Sequence, residues 1–316
     1  MRWCEWMIAK DQEIRAQDFS VGRRGWCYLM ENERMITKGE FDRAEKLITD
    51  CRKNGKLPFY ICAEDESRAA DYVEQLDQDD TTQEAADWLD SLLTAHERWN
   101  PESFWDHQDY DIEMLTEKLD LKSLFAVVCR KYHIPLANMK GWSDLNLRGR
   151  MAERFAEMER RGKQCVLLVC GDHDPGGLHI TDKLLKNFEQ ISKATGWTPD
   201  NLTVSRFGLN YDFIEANGLT WIDNLETSSG LELDDPDHAD RWKVYVDGYI
   251  EQFGVRKVEA NALVIRPVEG RQLAERAILE FLNKAGIKRY NAELTARREE
   301  LRQEIRKQLR RIKRTD

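Results

Sequence analysis

The chain has 316 residues, 41% of them hydrophobic, and a formal net charge of −10 at pH 7. That length makes two domains the natural expectation, and that composition supplies an ordinary core. The sequence holds no apolar run long enough for a signal peptide or a membrane span, and its seven cysteines, odd in number and without a CxxC pair, fit a reduced, cytoplasmic protein without membrane partners better than a disulfide or zinc framework.

Charge is unevenly spread. Residues 71–90 hold eight acids and residues 221–240 hold seven, with no Lys or Arg in either stretch, whereas residues 286–316 hold eleven basic and five acidic residues. Local field, not net charge, decides attraction to phosphate.

In chain order, residues 14–30 predict a short helix, with Ser20 as its cap and Trp26, Leu29 and Met30 as its apolar positions. Residues 39–54 predict a second helix with Phe41, Ala44, Leu47, Ile48 and Cys51 on one face, stopped by Gly55. Residues 57–62 read as a short strand, with a polar exit over 63–68. Helix, helix, strand is consistent with a winged-helix unit. Residues 71–103 read as a mostly helical acidic connector. A second block starts near Asp109: a strand over 111–116, a helix over 119–133, a strand over 134–139, a turn over 140–143 and a helix over 144–161. A buried strand follows over 165–170, then a helix to about Ala194 and a strand over 201–207. This alternation predicts a parallel sheet covered by helices on both faces. Residues 212–240 form a polar insert, 256–264 a further short strand or strand end carrying Glu259, and 271–284 a helix. The tail, 290–314, is a basic helix with a thin apolar stripe, Leu294, Leu301, Ile305, Leu309 and Ile312. It reads as a surface helix packed by that stripe, with its Arg-rich side free for phosphate.

The chemistry centres on Asp172-His-Asp-Pro-Gly-Gly177, directly after the unbroken apolar run 165–170. Open α/β sheets place ligands at the carboxyl ends of their strands. Asp172 and Asp174 stand there on one side of an extended segment, and Glu117 stands at the end of the first strand. Three carboxylates are hard oxygen ligands suited to Mg²⁺, which polarises phosphoryl oxygens. His173 and His179 have no further Cys or His at ligand spacing and read as supporting or surface residues. No Walker-type phosphate loop is present.

The Asp-His-Asp-Pro-Gly-Gly string resembles the DxDPxG signature of Toprim domains, in the form found in the A subunit of type VI DNA topoisomerases and the meiotic double-strand-break transesterases. Thr116-Glu117-Lys118 resembles the glutamate that completes the Toprim acid set, Gly141-Trp-Ser143 the turn after the second strand, and Val258-Glu259-Ala-Asn-Ala262 a further acidic motif. Arg24-Gly-Trp-Cys-Tyr28 matches the group's Arg-x-x-x-Tyr, though Trp26 and Cys27 stand where the group often shows a second tyrosine. Residues 39–55 and 65–68 resemble the helix and strand that follow it. The resemblance covers roughly residues 20–68 and 109–284 and implies a short, stand-alone form of the A subunit. The implied architecture is α/β: a winged-helix-like domain (1–70), an acidic helical connector (71–108), a Toprim metal-binding domain (109–285) and a basic helix (286–316). Tyr28 is then the nucleophile, assisted by Arg24, with Mg²⁺ held by Glu117, Asp172 and Asp174 and possible second-metal ligation by Glu259. The implied partners are double-stranded DNA, a second copy in a homodimer and a separate ATPase subunit. Two alternatives stand beside this: a Toprim nuclease of the plasmid-defence (Wadjet) type that uses metal-activated water, with Tyr28 structural, and a non-catalytic DNA-binding or scaffold protein.

Overall fold

A computed structural model describes residues 3–63, 80–139, 145–227 and 231–312. The expected segments 64–68, 71–79 and 140–143 lie outside them. The chain forms two compact units. One joins Met1–Glu64 to Tyr110–Phe281, and the other joins Asp65–Asp109 to Leu282–Asp316. The amino-terminal helices thus fold together with the sheet, and the acidic connector folds together with the basic tail.

The first unit is mixed α/β around one all-parallel sheet of order β2-β1-β3-β4. The strands are β1 (Tyr110–Thr116), β2 (Leu136–Asn138), β3 (Gln164–Cys170) and β4 (Thr203–Gly208). β1 pairs with β3 along its whole length, from Tyr110 opposite Gln164 to Thr116 opposite Cys170. Every residue of β3 after Gln164 is buried, because helices cover both sides. On one side, Leu115, Cys165, Leu167 and Val169 pack on Met151 and Phe155 of α6 (Leu145–Arg160) and on Leu184 and Phe188 of α8 (Ile180–Glu189). On the other, α5 (Leu119–Lys131) meets β1, with Cys129 against Met114 and Phe125 against Phe207. α12 (Pro267–Leu279) lies on α5 and β4.

Ahead of the sheet come α1 (Trp3–Arg15), α2 (Arg23–Asn32) and α3 (Phe41–Lys53). α1 was not expected. The expected strand over 57–62 is a run of turns instead, so residues 3–63 contain no strand. Pro58 has no N–H to give to a ladder. Ser20 does not cap α2: its N–H and hydroxyl meet the Ser123 hydroxyl, and Gly22 is the N-cap.

The expected helix from the DPGG turn to Ala194 is broken into α7 (Pro175–Leu178), α8 and α9 (Ser192–Thr195). The insert contains a helix, α10 (Tyr211–Asn217), and is followed by α11 (Val244–Phe253). Residues 256–264 form no strand. Val258 makes one antiparallel bridge with His173, and a 3₁₀ helix follows over Ala260–Ile265. Among the described residues no helix is long and apolar enough to cross a membrane, and all seven cysteines are free.

Two acids of β1 are buried under α6. Arg154 of α6 clamps Glu113 with two hydrogen bonds, 2.6 and 2.7 Å. Asp111, 4% exposed, is pushed up to about 7, by burial first and by Glu113 second, against Arg154, Arg161 and Lys163. A raised carboxyl pKa means that the native state keeps a proton that the unfolded chain releases. This contribution to stability is therefore full below about pH 4, falls as pH rises to 7 and is flat beyond. Asp111→Asn is expected to flatten that slope and raise stability at pH 8 by on the order of 4 kcal/mol. Urea melts of both proteins at pH 5 and pH 8 check it; equal slopes with pH would contradict it.

Candidate active site

The site is assembled at the carboxyl edge of the sheet. Because Thr116 pairs with Cys170, the residues that follow them, Glu117 and Gly171-Asp172, emerge side by side. Glu117 N–H donates to the Cys170 carbonyl at 3.0 Å, and Asp172 N–H donates to Glu117 Oε2 at 2.8 Å. A Cβ on Gly171 would stand 2.9 Å from that oxygen, which accounts for glycine where the strand stops.

Lys118 ties the two acids together, its Nζ 2.9 Å from Glu117 Oε1 and 2.8 Å from Asp172 Oδ2. Burial works against the charge on Glu117, but Lys118 and the Asp172 amide outweigh it and hold the pKa below the usual range. Asp172 moves the other way, raised by burial and by the charges of Glu117 and Asp174 against the pull of Lys118. Asp174 is raised too, chiefly by burial. Its Oδ1 accepts from Gly177 N–H at 2.5 Å and so caps α7. Gly177 has no room for a side chain, since a Cβ would lie 2.1 Å from the Asp172 carbonyl. Arg206 of β4 closes the turn by donating to the carbonyls of Gly177 (3.0 Å), Asp172 (3.1 Å) and Leu209 (2.9 Å).

α2 brings the second half of the site. Its first N–H groups have no partner within the helix. Asp120 of α5 takes them, accepting from Gly22 and Gly25. Side chains at either glycine would collide with that carboxylate, 2.7 Å from a Cβ in both cases. Burial raises Asp120 to about 6 and the helix amides oppose the rise, as a helix amino terminus favours negative charge. This contact docks α2 onto the sheet domain with Arg24 and Tyr28, four residues apart, on one helix face.

Tyr28 is 1% exposed. Its hydroxyl donates to Glu259 Oε2 at 2.9 Å. Arg24 grips the same carboxylate with Nε at 3.1 Å and Nη2 at 3.2 Å, and reaches Asp42 and Glu45 with Nη1. Burial first, then Glu259, raises the Tyr28 phenol well above its ordinary value, while Arg24 lowers it. Burial resists the charge on Glu259, yet Arg24 and Tyr28 hold its pKa below the usual range. The Tyr28 ring stands edge-on to Phe41 at 5.0 Å, with the Lys38 ammonium 4.1 Å from its centre. The residue after Glu259 completes the connection: Ala260 N–H donates to Asp172 Oδ1 at 2.7 Å.

All six expected site residues therefore lie in one unit. Glu117 and Asp172 meet through Lys118; Tyr28, Arg24 and Glu259 meet one another; Asp174 stands within electrostatic reach of Glu117 and Asp172. Among the described residues no three His, Cys, Asp or Glu side chains form a ligating cluster as placed, because Lys118 and the α7 cap occupy the facing oxygens. The donor set nevertheless suits a divalent ion. Three hard carboxylates, Asp172 buried and Glu117 and Asp174 partly so, lie near the two cations Lys118 and Arg206, and burial first, then the neighbouring acids, raises Asp172 and Asp174, a set a divalent cation would balance.

Sequence reasoning missed Lys118, Asp120 and Arg206. Only Arg206 left a signal, as the one charged residue inside a strand otherwise without charge. His173 is not a surface residue. It is 1% exposed, its Nδ1 lies 3.0 Å from the Tyr249 hydroxyl, and burial pushes it down to about 4, so it is neutral. Its neighbours Trp221, Tyr249 and Phe253 anchor the DHD segment on the side away from the acids. His179 is half-exposed and stacks on Tyr245 at 4.7 Å. Compared with known protein families, with curated proteins and with solved structures, the chain matches none.

Proposed function

We propose that this chain is a Mg²⁺-dependent DNA-cleaving transesterase, similar in plan to the type VI topoisomerase A subunit, with a helical block carrying the nucleophile and a Toprim-like sheet carrying the acids. One observation carries the reading. Two successive residues, Glu259 and Ala260, hold the Tyr28 hydroxyl and the Asp172 carboxylate respectively. A candidate nucleophile, its proton acceptor and an acid cluster thus form one connected site.

In this account the Tyr28 proton passes to Glu259, the phenol oxygen bonds to a DNA phosphorus, and the bond to the departing sugar oxygen breaks as that oxygen takes a proton from solvent. Arg24 stabilises the developing phenolate and holds the phosphate. Glu117, Asp172 and Asp174 would hold Mg²⁺, which supplies Lewis-acid polarisation of the phosphoryl group. Lys118 bridges Glu117 and Asp172 and balances part of their charge until then. With Tyr28 1% exposed, phosphate reaches it only when α2 draws back from the Glu259 segment. Strand passage driven by ATP would take a separate subunit, since the sequence has no Walker loop, and a double-strand cut takes two chains, one tyrosine for each strand.

That same burial favours a second reading, a nuclease in which activated water attacks and Tyr28 fastens α2 to the sheet domain. Both readings are tested first on supercoiled plasmid. Nicked and linear products are expected with Mg²⁺ and none with excess chelator; intact plasmid under both conditions would count against both.

A further inference from the structure

The acids hold a cation of their own, on the oxygens a metal ion would need. Glu117 and Asp172 each give one carboxylate oxygen to a backbone amide. Glu117 Oε2 accepts from Asp172 N–H at 2.8 Å, and Asp172 Oδ1 accepts from Ala260 N–H at 2.7 Å. The other two oxygens, Glu117 Oε1 and Asp172 Oδ2, both meet Lys118 Nζ, at 2.9 and 2.8 Å. Asp174 commits Oδ1 to Gly177 N–H in the same way. A divalent ion that joins Glu117 to Asp172 through their amide-free oxygens therefore competes with Lys118 for both.

The second cation of the site is not free to yield. Arg206 uses Nε, Nη1 and Nη2 on the carbonyls of Gly177, Asp172 and Leu209 and on the Asn210 side chain, so its guanidinium is part of the turn. Lys118 differs. It is an ammonium on a flexible four-carbon stem, and its side chain is 29% exposed against 9% for Asp172. Among the described residues its ammonium meets only the two acids. A dication beside that ammonium sets like charges together in a partly buried site, where repulsion is strong. The ammonium is the group that can leave, and once displaced it needs another anion.

We propose that Lys118 is a displaceable internal cation that couples metal loading to DNA binding: the divalent ion takes Glu117 Oε1 and Asp172 Oδ2, and the freed ammonium pairs with a DNA phosphate. Without DNA the ammonium competes with the metal and holds its affinity down. With DNA the competitor has a partner elsewhere, so the metal binds more tightly, and metal strengthens DNA binding by the same factor. The inference rests on the three acids as the metal site and holds for either nucleophile, tyrosine or water. The basic helix α13 (Lys284–Ile312), which packs along α4 (Thr81–Arg98) in the second unit, also attracts phosphate. DNA affinity by itself therefore says nothing of Lys118, and the readout is the coupling.

The test counts bound Mn²⁺, a stand-in for Mg²⁺ with an electron paramagnetic resonance signal, on full-length chains at pH 8 with and without a short DNA duplex. Asp172→Asn, run beside them with the same duplex, gives the Mn²⁺ held by DNA and by the rest of the protein. Wild type is expected to bind Mn²⁺ weakly alone and about ten-fold more tightly with the duplex. Lys118→Met keeps the stem and removes the charge. It is expected to bind Mn²⁺ about ten-fold more tightly than wild type without DNA and to gain little when the duplex is added. If Lys118→Met melts well below wild type, Lys118→Gln, neutral but able to donate to one acid, carries the same comparison. Equal Mn²⁺ affinity in wild type and the neutral variant without DNA, or an equal gain in both on adding the duplex, would overturn the proposal and leave the acids as the metal site. Asp172→Asn binding Mn²⁺ as wild type does would remove the metal site itself, and the proposal with it.

Discussion

Asp172→Asn is expected to lower Mg²⁺-dependent DNA cleavage by about a thousand-fold or more, which corresponds to ~4 kcal/mol of transition-state stabilisation. The substitution is chosen to spare the fold. The amide oxygen can still accept from Ala260 N–H, the contact made at 2.7 Å by Asp172 Oδ1, and no cavity is opened. What disappears is one negative charge in a buried acid set where Asp172 ionises only against burial and its neighbours. The native state gives up the Lys118 contact at Oδ2, but Lys118 keeps Glu117 and a carboxylate that burial disfavours is removed, so stability should change little. A steady-state cleavage series over Mg²⁺ concentration, with a thermal melt beside it, reads both effects. A melt unchanged within a few degrees with cleavage lost is the expected pair of results. Cleavage near the wild-type rate would remove Asp172 from the chemistry.

The second large effect is expected at Glu259. This carboxylate is where Arg24, Tyr28 and, through the next peptide, Asp172 converge. Glu259→Gln keeps an oxygen that can accept from the Tyr28 hydroxyl but removes the charge that takes the proton and balances Arg24. A lost proton acceptor of this type costs on the order of 10² to 10⁴ in rate. Binding of DNA in Ca²⁺ buffer should stay within a few-fold, since Glu259 opposes rather than aids phosphate binding. If Glu259 serves only to fasten α2, the variant will melt earlier yet cut as fast as wild type once folded. That outcome would return both Glu259 and Tyr28 to structural roles.

Much of the site was legible because its chemistry coincides with strand ends. The apolar run 165–170, the acids after it and Glu117 after β1 all follow from where buried strands must stop, and β1 pairs with β3 in the register that brings those ends together. The DPGG turn was legible as a turn, but the break it makes between α7 and α8 was not. Gly177 closes to where a Cβ would lie 2.1 Å from the Asp172 carbonyl, a constraint of three dimensions rather than of periodicity. Residues 57–62 looked like a strand because they are apolar, yet Pro58 interrupts them and among the described residues no strand pairs with them. Residues 256–264 looked extended, but they bridge only at Lys257, with Ile222, and at Val258, with His173, before the chain turns into a 3₁₀ helix. Glu259 was expected among the metal ligands; its carboxylate is taken up by Arg24 and Tyr28, a partnership across 231 to 235 positions of sequence that no local pattern carries. Asp120 was invisible for the same reason. It reads as an ordinary first-turn acid of α5, and its work is on a different helix.

The account rests on Tyr28 as the attacking group, and trapping that group on DNA tests it most directly. Wild-type protein is incubated with supercoiled DNA and Mg²⁺, the reaction is stopped mid-course with denaturant, and the DNA ends are examined for bound protein. The account predicts covalent protein at the cut ends in wild type, released by exhaustive proteolysis to a peptide containing Tyr28. It predicts neither adduct nor cleavage in Tyr28→Phe, a substitution that keeps the ring against Phe41 and removes one hydroxyl, with DNA binding confirmed in the same preparation. Cleavage retained by Tyr28→Phe, with protein-free ends, would contradict the account and assign the cut to activated water.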